Sequence, residues 1–342
     1  MHLENFPLLT KNTYLNTAYV GLMSKALSEF RCQHEAAYLL KGGDYKVDAY
    51  AGLEDTHRVL ANFFGASAAN TFVVPNFSIG IRHALSLLPK NLNVLLLEEE
   101  YPSLRSAFEE GDFVIHKIPL KADVELQIEK RLAEGGIDIL ALSIVQYASG
   151  ILINVDFLNG LKNQYPDLIL IGDGTQFLGA HVFHFDSSPF DLIAASGYKW
   201  LLAGFGNGVL MVSEFYLDRI QRKTLTLFNR VFNGHFNILA TASLRFAIEA
   251  FESQNFNLLM QSKAMLAQKA KQLLYEHGWI SPWVMERKQH GSIFILEGEE
   301  SLYKKLIDHK IQCVPRGKGV RVSFHYYNTE QDIHRLIEVL KK

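Results

Sequence analysis

The chain has 342 residues, 48% hydrophobic and 20% charged, with a formal net charge of −2. That is enough chain for one large domain or two ordinary ones, and the charge balance argues against nucleic acid or an anionic membrane as main partner. The two cysteines, Cys32 and Cys313, make no metal or redox spacing and suggest a reducing compartment. The opening MHLENFPLLTKNTYLN lacks the basic start and apolar core of a signal peptide. No apolar run approaches the roughly 20 residues that span a bilayer, so a cytoplasmic protein is expected.

In chain order, seven short apolar runs read as strands: 71–75, 93–98, 113–118, 138–145, 168–173, 191–196 and 208–213. Several are apolar on both faces, as in a parallel sheet covered on two sides. Helical patterns lie between them at Ser78–Leu88, Ser103–Glu110, Leu126–Ala133 and Val155–Asn163. Such alternation implies a mostly parallel α/β sheet. A long helical region follows over 236–277, then a shorter α+β tail: GSIFILEG, IQCVPRG, GVRVSFHYYN and a helix from Thr329, where Thr329 and Asp332 fit a capping box. The expected organisation is a large α/β domain over 16–235 and a small α+β domain over 236–342 that also takes up residues 1–15.

Ligands of open α/β sheets sit outside the carboxyl ends of the strands, and three such ends carry unusual residues. Asp173 closes the apolar run LILIGD between two glycines, where a carboxylate is costly unless paired. Lys199 is the only charged residue from Leu192 to Val212; a lysine stripped of water has a lowered pKa and attacks carbonyls. In PNFSIGIRHALSLL, Ser78 opens a helix expected to begin at about Ile79, and a helix start attracts phosphate. Taken singly, these are a turn aspartate, a surface lysine and an ordinary N-cap. Together they describe one ligand with an aldehyde for Lys199, a ring nitrogen for Asp173 and a phosphate for the helix start. That ligand is pyridoxal 5′-phosphate.

Two other motifs carry less. GFGNGV (204–209) precedes a strand and lacks the spacing of a dinucleotide loop. HVFH (181–184) has no carboxylate or cysteine spacing for a metal, and no metal is expected.

With DGTQFLGAHVF, SGYKW and GFGNGVLMV in place, the sequence resembles the class V aminotransferase family of fold type I pyridoxal-phosphate enzymes. The resemblance runs from YLNTAYVG to VRVSFHYYNTEQDI. It implies that Lys199 forms the Schiff base and later carries the Cα proton, and that Asp173 holds the ring nitrogen protonated. It implies that Gln176 reaches the phenolic oxygen and that Tyr101 stacks on the ring. Ser78, the backbone near Phe77, Ser196 and Tyr198 would hold the phosphate. His235, in NGHFN (233–237), would reach the neighbouring subunit's phosphate, which implies a homodimer with shared sites. Arg321 would take the substrate's α-carboxylate, a role that suits a bidentate guanidinium, and Tyr147 and Tyr19 would line the substrate side.

The cofactor supplies an electron sink and does not by itself choose the reaction. A persulfide-forming desulfurase needs a cysteine on a mobile loop, whereas Cys313 falls in a strand-like stretch and reads as a small buried hydrophobe. The expectation is an amino-acid aminotransferase acting through an external aldimine. A Cβ lyase of the kynureninase or cysteine-lyase sort and a non-catalytic cofactor-binding regulator are the alternatives.

Overall fold

The computed structural model describes residues 3–220, 224–232 and 234–342. In chain order its strands are β1 (Thr13–Tyr14), β2 (Thr71–Val74), β3 (Asn93–Leu97), β4 (Val114–Ile118), β5 (Ile139–Ser143), β6 (Ile169–Asp173), β7 (Leu192–Ser196), β8 (Gly208–Val212), β9 (Ile293–Glu297), β10 (Ile311–Gln312), β11 (Val314–Arg316) and β12 (Gly319–Ser323). Strands β2 to β8 are the seven expected from the sequence, slightly trimmed. They form one sheet in the order β2-β8-β7-β6-β5-β3-β4. β7, β6, β5, β3 and β4 pair in parallel, and β8 runs against both β7 and β2. This is the mostly parallel α/β sheet of fold type I.

Both faces of that sheet are apolar for a reason visible in its residues. Leu95, Leu97, Leu140, Leu142, Ile193 and Met211 pack into a core on one side. Their alternates Leu96, Ile139, Ala141, Ile171, Ala194 and Leu210 pack into a second core on the other. Side chains alternate across a strand, so a sheet covered on both faces needs unbroken apolar runs.

The interleaved helices appear as Phe77–Leu85, Pro102–Glu109, Val124–Ala133 and Val155–Gln164. The helical region over 236–277 is two helices, Ile238–Ser253 and Phe256–Glu276, which follow its two periodic parts. The break falls at Asn255, which takes a left-handed backbone (φ 58°) and caps the second helix by accepting from Leu258 N. Asparagine is among the side-chain-bearing residues that tolerate that conformation best. Two helices, Lys25–Lys41 and Gly43–Phe64, carry no element in the sequence reading.

The C-terminal part builds an antiparallel sheet in the order β11-β12-β9. Phe294, Leu296, Val320 and Val322 pack there under Leu274, Leu302, Leu306, Ile333 and Leu336 of the covering helices. Asp332 accepts from Thr329 N at 2.9 Å and starts the last helix, as the sequence implied. β1 pairs in parallel with β10, and Ser323 N donates to Leu15 O. The N-terminal segment thus runs beside the small sheet before it reaches the large one.

That segment then crosses the loop after β7. Gly21 N donates to Tyr198 O at 2.9 Å, and a Cβ on Gly21 would stand 2.0 Å from Lys199 O. Neither backbone can yield without moving the other. Gly21→Ala is therefore expected to lower stability by about 1–3 kcal/mol, the usual cost of overpacking, in denaturant melts. An unchanged melt would show that the two segments are not in fixed contact.

Candidate active site

Asp173 and Lys199 are brought together by strand pairing. Asp173 is the last residue of β6 and lies opposite Ala194 of β7; Lys199 follows the end of β7 by three residues. The connecting loop is closed by Ala203 N donating to Gly197 O and Leu202 N to Lys199 O. Leu202 adopts φ 56°, an unfavourable backbone for a bulky residue, of the kind found at constrained sites. Gly197 has no room for a side chain, because a Cβ there would meet Asn207 Oδ1 at 2.0 Å.

Both charged groups are buried, Asp173 at 4% and Lys199 at 7% exposure. Desolvation raises the Asp173 carboxyl, while Thr175 N, donating to Oδ1 at 2.8 Å, and the Lys199 charge pull it back. Desolvation pushes the Lys199 ammonium down to about 8; Asp173 opposes that shift, and Arg321 and Arg316 add to it. A lysine at about 8 is part neutral near physiological pH, the state in which it is a nucleophile.

The helix start lies two residues earlier than expected. Asn76, not Ser78, is the N-cap: its backbone is extended and its Oδ1 accepts from Ile79 N at 3.0 Å. The helix begins at Phe77, whose N–H donates to Ser196 Oγ at 2.9 Å. Asparagine and serine cap equally well, and the extended residue takes the role. Ser78 sits inside the first turn and its Oγ accepts from Ser103 Oγ at 2.6 Å. The Ser196 hydroxyl ties β7 to the start of this helix, so Ser78, Phe77 and Ser196 form one polar corner at the strand ends.

An aromatic wall flanks the lysine. Its Nζ stands 5.6 Å from the ring centres of both Tyr101 and Tyr198. Tyr101 meets Phe77 at 6.2 Å and Tyr147 at 5.4 Å between ring centres, and Tyr198 stacks on Phe205 at 4.9 Å. Arg321, from β12, is 2% exposed and donates through Nη1 to Tyr147 O at 2.6 Å. Its Nε is buried without a partner. Tyr19 is half exposed and joins the cleft through Arg316, 5.9 Å from its ring centre.

Two of the expected residues are placed differently from the rest. Gln176 is buried, but its Oε1 accepts from Trp200 Nε1 at 2.6 Å and its Nε2 donates to Ala18 O at 2.9 Å. One N–H is left for a ligand, so the residue also fixes the Trp200 and Ala18 segments. His235 is exposed on the helix flank, with Nδ1 2.6 Å from Tyr50 Oη, apart from the cluster within this chain. Asn233 of the same motif lies outside the described residues.

Three residues escaped the sequence reading. Glu100 is 2% exposed and accepts from Ser143 N, Ser143 Oγ and Gln146 Nε2 at 2.6–3.1 Å. Burial pushes it up to about 7, those donors lower it, and Asp173 adds a smaller upward push. Hidden in the surface-like run EEEY, it gave no signal beyond its place after a strand. Arg316 lies in the stretch IQCVPRG, next to its closing glycine, and carries no signal of its own in sequence. Lys263 is a second buried lysine, donating to Ala180 O at 2.7 Å with its Nζ 5.3 Å from the Trp200 ring; it lies in a long polar helix and looks like a surface residue in sequence.

The family model Aminotransferase class-V matches residues 22–336, and the chain belongs to that family. It is 22% identical to the uncharacterized aminotransferase YcbU of Bacillus subtilis (strain 168), over 97% of this chain and 95% of that one. The fold is similar to that of the cystine C–S lyase C-DES in complex with its product cysteine persulfide, with TM-score 0.86 at 15% identity and 98% of each chain covered. It is also similar to a cysteine desulfurase from Thermococcus onnurineus NA1, with TM-score 0.83 at 17% identity, covering 99% of this chain and 96% of that one.

The chain is accordingly a pyridoxal-phosphate-dependent enzyme of the class V aminotransferase fold, and its residues fit that group. A buried amine and a buried carboxylate stand at adjacent strand ends. Beside them is a helix N-terminus whose first N–H is held by Ser196 Oγ and whose third by Asn76 Oδ1, which leaves the Ser78 N–H facing the corner for an anion. Since Lys199 is held near 8, uptake of pyridoxal 5′-phosphate by cofactor-free protein should quicken as pH rises from about 6.5 to about 8.5 and level off above that, following the neutral amine. Absorbance stopped-flow measures this; a rate still climbing steeply beyond pH 9.5 would place Lys199 at an ordinary lysine value.

Proposed function

We propose that this chain is an aminotransferase acting on an α-amino acid at the ends of β6 and β7. The observation that carries the reading is Lys199 and Asp173 at neighbouring strand ends with the Arg321 guanidinium over the same cleft. When bound, the cofactor offers an aldehyde to amines and a ring that accepts electrons from bonds at the substrate's Cα. Lys199 Nζ would hold that aldehyde, and as a free amine it would take and return the substrate's Cα proton. Asp173 would accept a hydrogen bond from the ring nitrogen and keep its proton in place. Phe77, Ser78, Ser196 and Tyr198 would hold the phosphate, and Tyr101 would pack on the ring. The free N–H of Gln176 would serve the phenolic oxygen. Arg321, anchored through Nη1 on the Tyr147 carbonyl, would hold the α-carboxylate with its remaining N–H groups, with the Tyr147 and Tyr19 side chains nearby.

The reading includes a homodimer in which His235 serves the partner's site. Leu39 and Leu40, each 84% exposed, and Val47 at 68% line the outside of the two N-terminal helices, an apolar face that a second copy would cover. A cytoplasmic location belongs to the same reading.

The second reading is a Cβ lyase. Lys199 and Arg321 serve it equally, and the C–S lyase with a similar fold supports it. Persulfide chemistry on Cys313 is disfavoured: it is 4% exposed, and burial pushes its thiol up to about 12.

The test is a panel of amino acids with the cofactor-loaded protein. Transamination converts the cofactor to its pyridoxamine form and is reversed by a 2-oxo acid. Release of pyruvate, alanine, sulfide or ammonia with the absorbance band retained would establish a lyase instead, and silence across the panel would leave a regulator. Asp173→Asn should weaken cofactor binding by about 1.5–3 kcal/mol, the worth of a charge-assisted hydrogen bond. Turnover should fall by more, on the order of 100-fold, because charge develops on the ring in the transition state. Unchanged turnover would remove Asp173 from the mechanism.

A further inference from the structure

The cleft holds a second guanidinium. Arg316 ends β11, and the turn from Arg316 to Gly319 returns the chain to β12, with Val314 opposite Arg321 in the ladder. The centre of the Arg316 guanidinium lies 5.9 Å from the Tyr19 ring and 6.0 Å from the Tyr147 ring. Tyr147 meets Tyr101 at 5.4 Å, and Tyr101 lies 5.6 Å from Lys199 Nζ. Short aromatic steps therefore lead from the reactive lysine to Arg316. Its charge is felt at Lys199, at Tyr101 and at Arg321.

Two arginines in one cleft repel each other and need anions. Among the described residues neither takes part in an ion pair. The Nε of each is sealed from water without a hydrogen-bond acceptor. Burial first, and Arg316 next, pull the Arg321 guanidinium down to about 10. A surface arginine has water for every donor, whereas each of these two keeps at least its Nε–H from both water and protein acceptors. The α-carboxylate of an amino acid neutralises one charge and leaves the other.

We infer that Arg316 is a specificity residue that receives a second anionic group at the end of the substrate's side chain, so that the enzyme takes acidic amino acids. The inference rests on the proposed assignment of Arg321 to the α-carboxylate. The shared chemistry is a side-chain oxyanion, whether carboxylate, sulfinate or phosphate. The planar fork of arginine suits each of these, while the neighbouring tyrosine rings exclude competing water.

Binding of unreactive acids to the cofactor-loaded protein, measured by calorimetry, tests this without turnover. Succinate and glutarate should bind at least about tenfold more tightly than butyrate. Arg316→Gln should erase that difference while butyrate affinity stays within about twofold, and Arg316→Lys should restore part of it. Spectral titration with aspartate, glutamate, cysteine sulfinate and phosphoserine, against asparagine and glutamine, then separates the three sources of the anion. The inference is overturned if butyrate matches the dicarboxylates in the unaltered protein, or if Arg316→Gln weakens acidic and neutral ligands alike. Should Arg316→Gln not fold, the unaltered protein and Arg316→Lys still decide it. Arg321→Ala is the separate control: it should weaken all amino acids equally, and if it does not, the α-carboxylate assignment fails while the comparison at Arg316 stands by itself.

Discussion

Lys199 and Asp173 are each disfavoured where they stand, and each charge eases the other's burial, with Thr175 doing more than the lysine for the aspartate. Burial drives the lysine toward its neutral form and the aspartate toward its protonated form, while their opposite charges pull them back. The parallel pairing of β6 and β7 fixes both at one edge of the sheet. An apolar sheet with cores on both faces keeps water away from that edge. The tension is what makes the pair useful: a lysine poised near neutrality can give up its proton to meet an aldehyde, and a buried carboxylate gains from a ring N–H placed against it.

The rest of the cleft is arranged around this pair by segments far apart in sequence. The N-terminal stretch crosses the Lys199 loop at Gly21 and is held by Gln176 through the Ala18 carbonyl. The small sheet brings Arg321 against the Tyr147 carbonyl. The loop carrying Tyr147 is itself fastened at its start by Glu100, which binds Ser143 and Gln146. Gly291 N grips the Gly150 carbonyl at the other end of that loop. Tyr147 and Arg321 thus depend on a buried acid of the large sheet and on the small sheet at once.

Much of this was legible in the sequence because the governing signals are local. The seven strands announce themselves as apolar runs, and Asp173 and Lys199 stand out as lone charges at the ends of such runs. What escaped has physical reasons. The helices Lys25–Lys41 and Gly43–Phe64 expose Tyr38, Leu39, Leu40 and Val47, so their apolar residues do not trace one stripe toward a single-chain core. Asn76 and Ser78 are both good caps, and only the backbone angles decide between them. Glu100 and Lys263 follow charged or polar neighbours in sequence, and Arg316 stands between a proline and a glycine; only the folded chain buries the first two and sets the third beside Tyr19 and Tyr147.

The most direct measurement is borohydride reduction of the protein loaded with pyridoxal 5′-phosphate, followed by peptide mass mapping. A single reduced adduct is expected on Lys199, and none when Lys199 is replaced by alanine. An adduct on Lys263 or any other lysine, at equal or greater yield, would contradict the assignment of Lys199.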